Sequence, residues 1–91
     1  MMKLMKEQIY KEKGRKAGES LTREMIESAM PGGSIENAND HQWMVARWEL
    51  MEDLLGSWKA PMGSTNPATE EFYRIFDAKK AIILRQMAKA A

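Results

Sequence analysis

Residues 43–58 read WMVARWELMEDLLGSW, and this stretch decides the fold. Its large apolar side chains recur at spacings of 4, 3, 4 and 3 residues, at Met44, Trp48, Met51, Leu55 and Trp58. That alternation places one apolar stripe along an α-helix, as in a helix that packs lengthwise on another helix. We therefore predict a helix over about residues 35–56, whose start is left open between Ser34 and Asp40.

A second long helix is predicted downstream, over about residues 67–88. Asn66 followed by Pro67 is a favourable pair for the N-cap and the first helical position. Acidic residues near its start (Glu70 and Glu71) and basic residues towards its end (Lys79, Lys80, Arg85 and Lys89) complement the helix dipole. Two long helices joined by a connector of roughly ten residues form an antiparallel hairpin.

Shorter elements precede the hairpin. Ser20 is a suitable N-cap for a helix over about residues 20–30, which Pro31 and the two following glycines end. Residues 1–18 read as a basic amphipathic arm, in which Gly14–Gly18 breaks the pattern like a linker. The expected fold class is all-α, with short helices followed by a long antiparallel helical hairpin. The expected division is an arm over residues 1–18 and a helical domain over residues 19–91, with a three-helix core.

The apolar arcs of the two long helices are wider than the arc of roughly 100° that one neighbour covers. Each long helix therefore needs more than one packing partner, which another copy or another protein could supply. The side chains expected to contact such a partner are Trp43, Leu50, Leu54, Trp58, Pro61, Met62 and Tyr73. The three of these that lie in or beside the connector either fold back on the core or face a partner.

The residue types present do not suggest catalysis. The 91-residue chain has no cysteine and one histidine, His41, which excludes disulfides, zinc–thiolate sites and thiol nucleophiles. Glu49, Glu52 and Asp53 form a solvated acidic face of the helix over residues 35–56. We expect no catalytic residue, metal, cofactor or small-molecule substrate.

Charge is segregated along the chain although the net charge is only +1. The chain is basic at both ends and acidic in the middle, and residues 1–18 alone hold six basic and two acidic side chains. Side chains that could contact nucleic acid or another anionic surface are Lys3, Lys6, Lys11, Lys13, Arg15, Lys16, Arg74, Arg85 and Lys89. The longest unbroken apolar run has four residues, so no membrane span is expected, and we expect a cytoplasmic or intracellular location.

These features favour a non-enzymatic structural or assembly subunit that packs its helices on a protein partner or on copies of itself. A virion, connector or accessory component of a larger complex would suit its size and its nine methionines. One alternative is a nucleic-acid-binding accessory protein that uses the basic arm. Another is a small inhibitor or regulator that docks through its acidic middle helix.

Overall fold

The computed structural model describes the backbone of residues 2–90 and the side chains of residues 5–90. The chain is 76% helical and has no strand in the described range, so the predicted all-α class is confirmed. The helices are α1 (Met2–Glu19), α2 (Arg23–Ala29), α3 (Asp40–Leu55) and α4 (Pro67–Ala90). A short 3-10 turn over Gly56–Trp58 follows α3 and opens the connector to α4.

A serine side chain caps the end of α1, and a threonine side chain caps the start of α2. The Thr22 side chain accepts a hydrogen bond from the backbone N–H of Met25, so α2 begins at Arg23. The prediction of Ser20 as the N-cap was therefore wrong. Ser20 instead donates its hydroxyl to the carbonyl oxygen of Ala17, and thus satisfies one of the acceptors that remain open at the end of α1.

Asparagine side chains set the starts of α3 and α4. Asn39 accepts a hydrogen bond of 2.9 Å from the backbone N–H of Gln42, whose side chain accepts one of 2.8 Å from the Asn39 backbone. This reciprocal pair is a capping box, and it starts α3 at Asp40, the later of the two predicted positions. Asn66 accepts a 2.8 Å hydrogen bond from the backbone N–H of Thr69, which confirms it as the cap of α4.

The predicted antiparallel hairpin is formed by α3 and α4. In the first half of α3, the Trp43 ring meets the Phe76 ring edge-on, with their centroids 6.2 Å apart. Beyond the end of α3, the backbone N–H of Ala60 donates to the Thr69 hydroxyl at 3.1 Å. Residue numbers therefore rise along one helix as they fall along the other.

Helix α1 runs without a break through residues 14–18, so the prediction of a linker there was wrong. Gly14 and Gly18 are buried against Ala68 and Ile75 of α4. A Cβ on Gly14 would lie 2.2 Å from the carbonyl oxygen of Ala68, and one on Gly18 would lie 2.8 Å from the Ile75 Cβ. These glycines allow the helices to approach closely, and the pattern of a helix contact was mistaken for that of a helix break.

Helix α1 lies parallel to α4. The two glycine contacts run in the same direction along both helices, and the Lys79 ammonium of α4 donates to the carbonyl oxygens of Glu19 and Leu21, at 3.1 and 2.6 Å. Ala68, which lies against Gly14, is only the second residue of α4. The part of α1 before about Tyr10 therefore extends beyond the start of α4.

The core lies where α2, α3 and α4 meet, and α1 closes one side of it. Its buried apolar side chains are Leu21, Ile26, Met30, Ile35, Trp43, Ala46, Leu50, Met51, Leu55, Ala68, Phe72, Phe76 and Ile83. Helix α4 packs on both α1 and α3, while α2 packs on α3. The long helices have apolar arcs wider than one neighbouring helix can cover, and part of this excess is therefore covered within the chain itself.

The bundle is elongated, with extents of 51 × 23 × 18 Å. The connector and the start of α4 lie at one end, beside the first half of α1. The start of α3 and the second half of α4 lie at the other end. Among the described residues, the helices are too short or too polar to cross a lipid bilayer.

The Gly14 contact can be tested by adding a single methyl group. Gly14→Ala should lower the free energy of unfolding by about 1–3 kcal/mol, because the new Cβ would overlap the Ala68 carbonyl and push the helices apart. Urea denaturation followed by circular dichroism measures the change. Gln8→Ala, at an exposed position of the same helix, is the control and should stay close to wild type. Equal stability of the two variants would contradict the close contact.

Candidate interaction surface

The structure places most of the side chains predicted to meet a partner inside the bundle. Trp43 and Leu50 belong to the buried core, and Leu54 and Tyr73 are half-buried and pack against it. An interaction through Leu50 would require the core to open, whereas Trp43 also lines an open groove at the surface. These residues belong to the wide apolar arcs predicted for the two long helices, but much of each arc faces other helices of the same chain.

Among the connector residues, one folds back onto the bundle and two face solvent, so both of the predicted alternatives occur. Trp58 folds back onto α1, where its ring meets the Tyr10 ring edge-on with the centroids 4.8 Å apart. The Lys13 ammonium lies 5.5 Å from the centroid of the same Trp58 ring. Pro61 and Met62 are exposed, and Met62 keeps 80% of its surface in contact with solvent. Only these two residues of the connector set are fully open to a partner.

Arg47, Tyr73 and Asp77 form a polar cluster between α3 and α4. The Arg47 guanidinium lies 3.8 Å from the centroid of the Tyr73 ring and donates to the Asp77 carboxylate at 2.9 Å. The Arg47 Nε atom is buried without a hydrogen-bond partner among the described residues. Burial raises the pKa of the Tyr73 phenol above its ordinary value of 10.0. The cluster joins the two helices and holds the Arg47 side chain in place.

An open groove of about 510 Å³ lies between α3 and α4, next to this cluster; we call it the α3–α4 groove. The buried rings of Trp43 and Phe76 lie at its base. Met44 of α3 and Leu84 of α4 line its sides and are 57% and 42% exposed. Large apolar side chains are thus held in water on both sides of a concave surface.

The charged groups around the α3–α4 groove differ in whether they have partners. Arg47 pairs with Asp77, and the Lys80 ammonium lies 5.2 Å from the centroid of the Trp43 ring. Asp40 also lines the groove, and it makes no ion pair with any of the described side chains. Both cations at the groove are therefore engaged within the chain, whereas the Asp40 carboxylate is available to an incoming cation.

A second exposed apolar surface lies on α1; we call Met5, Lys6 and Ile9 the α1 knob. Met5 and Ile9 are 64% and 47% exposed, and they are one helical turn apart. At about 100° per residue they point about 180° and 140° away from Gly14, which faces α4. Met5 and Ile9 therefore project from the bundle on the part of α1 that extends beyond the start of α4, and Lys6 lies at their edge, where it lines a pocket with Tyr10 and Pro67.

Sequence reasoning did not select Met44, Leu84, Met5 or Ile9 as contact residues. A signal was present for Leu84, which lies at the flank of the apolar arc of α4. Met44 lies at the centre of the apolar arc of α3, where the pattern predicts burial. It stays exposed because no other element covers that side of the hairpin where the first half of α3 lies beside the second half of α4. The difference depends on where neighbouring elements stop, which a helical wheel does not contain.

Local partners occupy several of the basic side chains that could meet an anionic surface. Arg15 pairs with Glu12 and Glu19, and Lys16 pairs with Glu12. Arg74 pairs with Glu71 in the same way on α4. These pairs are exposed, but they place a negative charge beside each cation and so weaken the basic character of the surface.

The remaining basic side chains do not converge on one patch. Lys6 and Lys11 are exposed on α1, where Lys13 is engaged with Trp58, while Arg85 and Lys89 are exposed near the end of α4, at the opposite end of the bundle. The side chain of Lys3 lies outside the described residues. Among the described residues, Lys11 and Arg15 of α1 line one pocket with Glu71 of α4, which pairs with Arg74, whereas Arg85 and Lys89 lie far from this pocket.

The acidic residues in the second half of α3 stay on its outer side. Glu49 and Asp53 are exposed, and Glu52 accepts a 2.7 Å hydrogen bond from the Lys59 ammonium. This bond with Lys59 holds the pKa of Glu52 below its ordinary value. Among the described residues, no group of three or more His, Cys, Asp or Glu side chains is placed to hold a metal ion.

Comparisons with protein-family models, with curated proteins and with solved structures give no match to this chain.

The burial of Tyr73 predicts a pH-dependent loss of stability. The folded chain keeps the phenolic proton at pH values where the unfolded chain, with an ordinary pKa of about 10, releases it. The free energy of unfolding should therefore fall as the pH rises above about 10, and it should fall less steeply in Tyr73→Phe. Urea denaturation of both proteins between about pH 8 and pH 11 measures the two slopes. Identical slopes would show that Tyr73 titrates as it does in the unfolded chain.

Proposed function

We propose that the protein is a non-enzymatic assembly subunit, which binds a helix of a protein partner in the α3–α4 groove. The observation that carries the proposal is the exposure of Met44 and Leu84 on the two sides of a groove whose base is aromatic. A groove between two helices receives an amphipathic helix through apolar anchors spaced one turn apart. The ordered interior of the bundle supplies a preformed receptor, which reduces the entropy cost of binding.

The side chains around the groove suit protein packing. Covering Met44 and Leu84 would stabilise a complex by about 1–2 kcal/mol for each side chain, given that each is only partly exposed before binding. Methionine adapts to the shape of what it contacts, and a flexible Met44 beside rigid aromatic rings is typical of surfaces that accept helices. Polar groups on the rim would then set the direction and the identity of the partner.

Catalysis is not part of the proposal. The titratable groups at the groove are an arginine, a lysine and two aspartates, and three of these four are engaged within the bundle. A reaction centre needs a base or nucleophile within hydrogen-bond reach of a reacting group and a third group that orients it. Arg47 instead pairs with Asp77 and stacks on the Tyr73 ring between two packed helices, which suits a structural role.

The two alternative functions receive less support from the geometry. Nucleic-acid binding needs several cations along one path, whereas Arg15, Lys16 and Arg74 have acidic neighbours. Docking through the acidic side of α3 would use Glu49 and Asp53, which are exposed but have no concave apolar surface between them. Both stay proposals, and neither is favoured over the groove.

A lysine at the groove should separate assembly from folding. Leu84→Lys and Met44→Lys each place a charge where a partner helix would seat, so each should weaken association at least tenfold, which corresponds to about 1.4 kcal/mol. Sedimentation velocity over a concentration series measures self-association, and titration with any co-purifying protein measures binding to a partner. Unchanged thermal unfolding would show that the variants keep the fold.

Ile82→Lys is the matched control for these variants. Ile82 is a large apolar residue of α4 that is 47% exposed, close to the value for Leu84, but it does not line the groove. The control should associate like wild type. The proposal is wrong if the wild-type protein is monomeric at high micromolar concentration and also binds no protein partner.

A further inference from the structure

The α1 knob and the α3–α4 groove lie at opposite ends of the molecule. The knob precedes Gly14 by five to nine residues, which places it about 7–14 Å along the α1 axis, away from the start of α4. The groove lies beside the second half of α4, between Phe76 and Leu84, and beside the first half of α3. In a bundle 51 Å long, one copy cannot place its own knob in its own groove.

We propose that the α3–α4 groove of one copy binds the α1 knob of a second copy, so that the chain assembles head to tail. This inference rests on the proposed function, and it names the partner helix as α1 of the same protein. The incoming anchors are Met5 and Ile9, whose spacing of four residues places both on one side of the helix. They would pack between Met44 and Leu84, over the rings of Trp43 and Phe76.

Charge favours this partner over other apolar helices. Lys6 lies beside Met5 on the knob, is exposed, and makes no ion pair with any described side chain. Asp40 lies at the groove and is likewise unpaired there, whereas Arg47 and Lys80 are engaged with Asp77 and Trp43. Lys6 can therefore pair with the one carboxylate at the groove that, among the described side chains, has no cation of its own. Lys6 and Asp40 each supply the charge that the other lacks.

The proposed contact also explains why these side chains are exposed together. An isolated stretch of two helical turns is marginal in water, so the part of α1 beyond α4 gains little from helix formation alone. Packing in the groove of another copy would bury Met5 and Ile9 and would cover Met44 and Leu84 in the same step. Because the knob and the groove are different surfaces of the same chain, such a contact builds a ring or an open chain of copies.

Two variants test the direction of assembly. Ile9→Lys blocks the knob and leaves the groove intact, whereas Leu84→Lys blocks the groove and leaves the knob intact. Wild-type protein should form species larger than a dimer as its concentration rises, or a dimer that two knob–groove contacts hold more tightly than a single contact holds a mixed dimer of the two variants. Each variant alone should be monomeric, since each lacks one half of the contact. An equimolar mixture should form a 1:1 dimer and nothing larger, because one knob and one groove remain and they complete a single contact.

Sedimentation velocity with one variant fluorescently labelled measures the composition of the mixture. Circular dichroism and thermal unfolding check that both variants fold, and Met5→Lys serves as a second knob variant if Ile9→Lys does not. Ile82→Lys is the matched control and should still form the larger species.

A charge exchange provides an independent measurement. Lys6→Glu and Asp40→Lys should each weaken association at least threefold, because each removes the attraction between the knob and the groove. Mixing these two variants should restore association, since the exchanged charges attract one another again where the altered knob meets the altered groove. Failure of the mixture to associate better than either variant alone would contradict the pairing of Lys6 with Asp40.

The outcomes separate this inference from the proposed function. If the Ile9→Lys protein dimerises by itself, grooves pair with grooves; the inference is then overturned, while assembly through the groove stands. If wild type is monomeric but binds a different protein in the groove, the inference is again overturned and the proposed function stands. If wild type is monomeric and binds no protein, both are overturned. A 1:1 dimer formed only in the mixture of Ile9→Lys and Leu84→Lys supports the head-to-tail contact.

Discussion

The close contact between α1 and α4 is the interaction on which the rest of the structure depends. Gly14 and Gly18 have no side chains, so the backbone of α1 lies directly against Ala68 and Ile75. The distance between the two helices is this short only because the glycines have no Cβ atom. Any larger residue at Gly14 would overlap a carbonyl oxygen. Lys79 closes the far end by donating to two carbonyl groups at and just beyond the end of α1. The parallel direction of α1 along α4 follows from these contacts.

The position of α1 determines which apolar surfaces stay exposed. Because it covers the side of α4 that carries Ile75, part of the excess apolar arc is buried within the chain. Because it is parallel to α4 and meets it at the second residue of that helix, its first turns extend past the bundle with Met5 and Ile9 in solvent. Helix α1 ends near Lys79, and the groove between α3 and α4 stays open on the other side. The contact between α1 and α4 thus explains why the knob is exposed. It also leaves the groove between α3 and α4 uncovered.

Several elements could be predicted because their signals are local. The spacing of large apolar residues in α3, the Asn66–Pro67 start of α4 and the stop at Pro31 depend on backbone geometry within a few residues. The exposed side chains of the groove and the knob could not be predicted in this way. Trp43 and Met44 are neighbours in one amphipathic helix, yet Trp43 is buried and Met44 is 57% exposed. Their burial depends on which other elements reach that part of the helix.

The sequence by itself determined the all-α class, the antiparallel hairpin of α3 and α4, and the segregation of charge, because periodicity, caps and composition are properties of consecutive residues. Tertiary structure alone decided that Gly14–Gly18 is a helix contact and not a linker, since a glycine in a helical segment weakens the helix unless a neighbour uses the space it leaves. It also decided that Trp58 folds back onto Tyr10 while Met44 and Leu84 face solvent. Those outcomes depend on distances between residues far apart in the chain, which are set only when the helices pack.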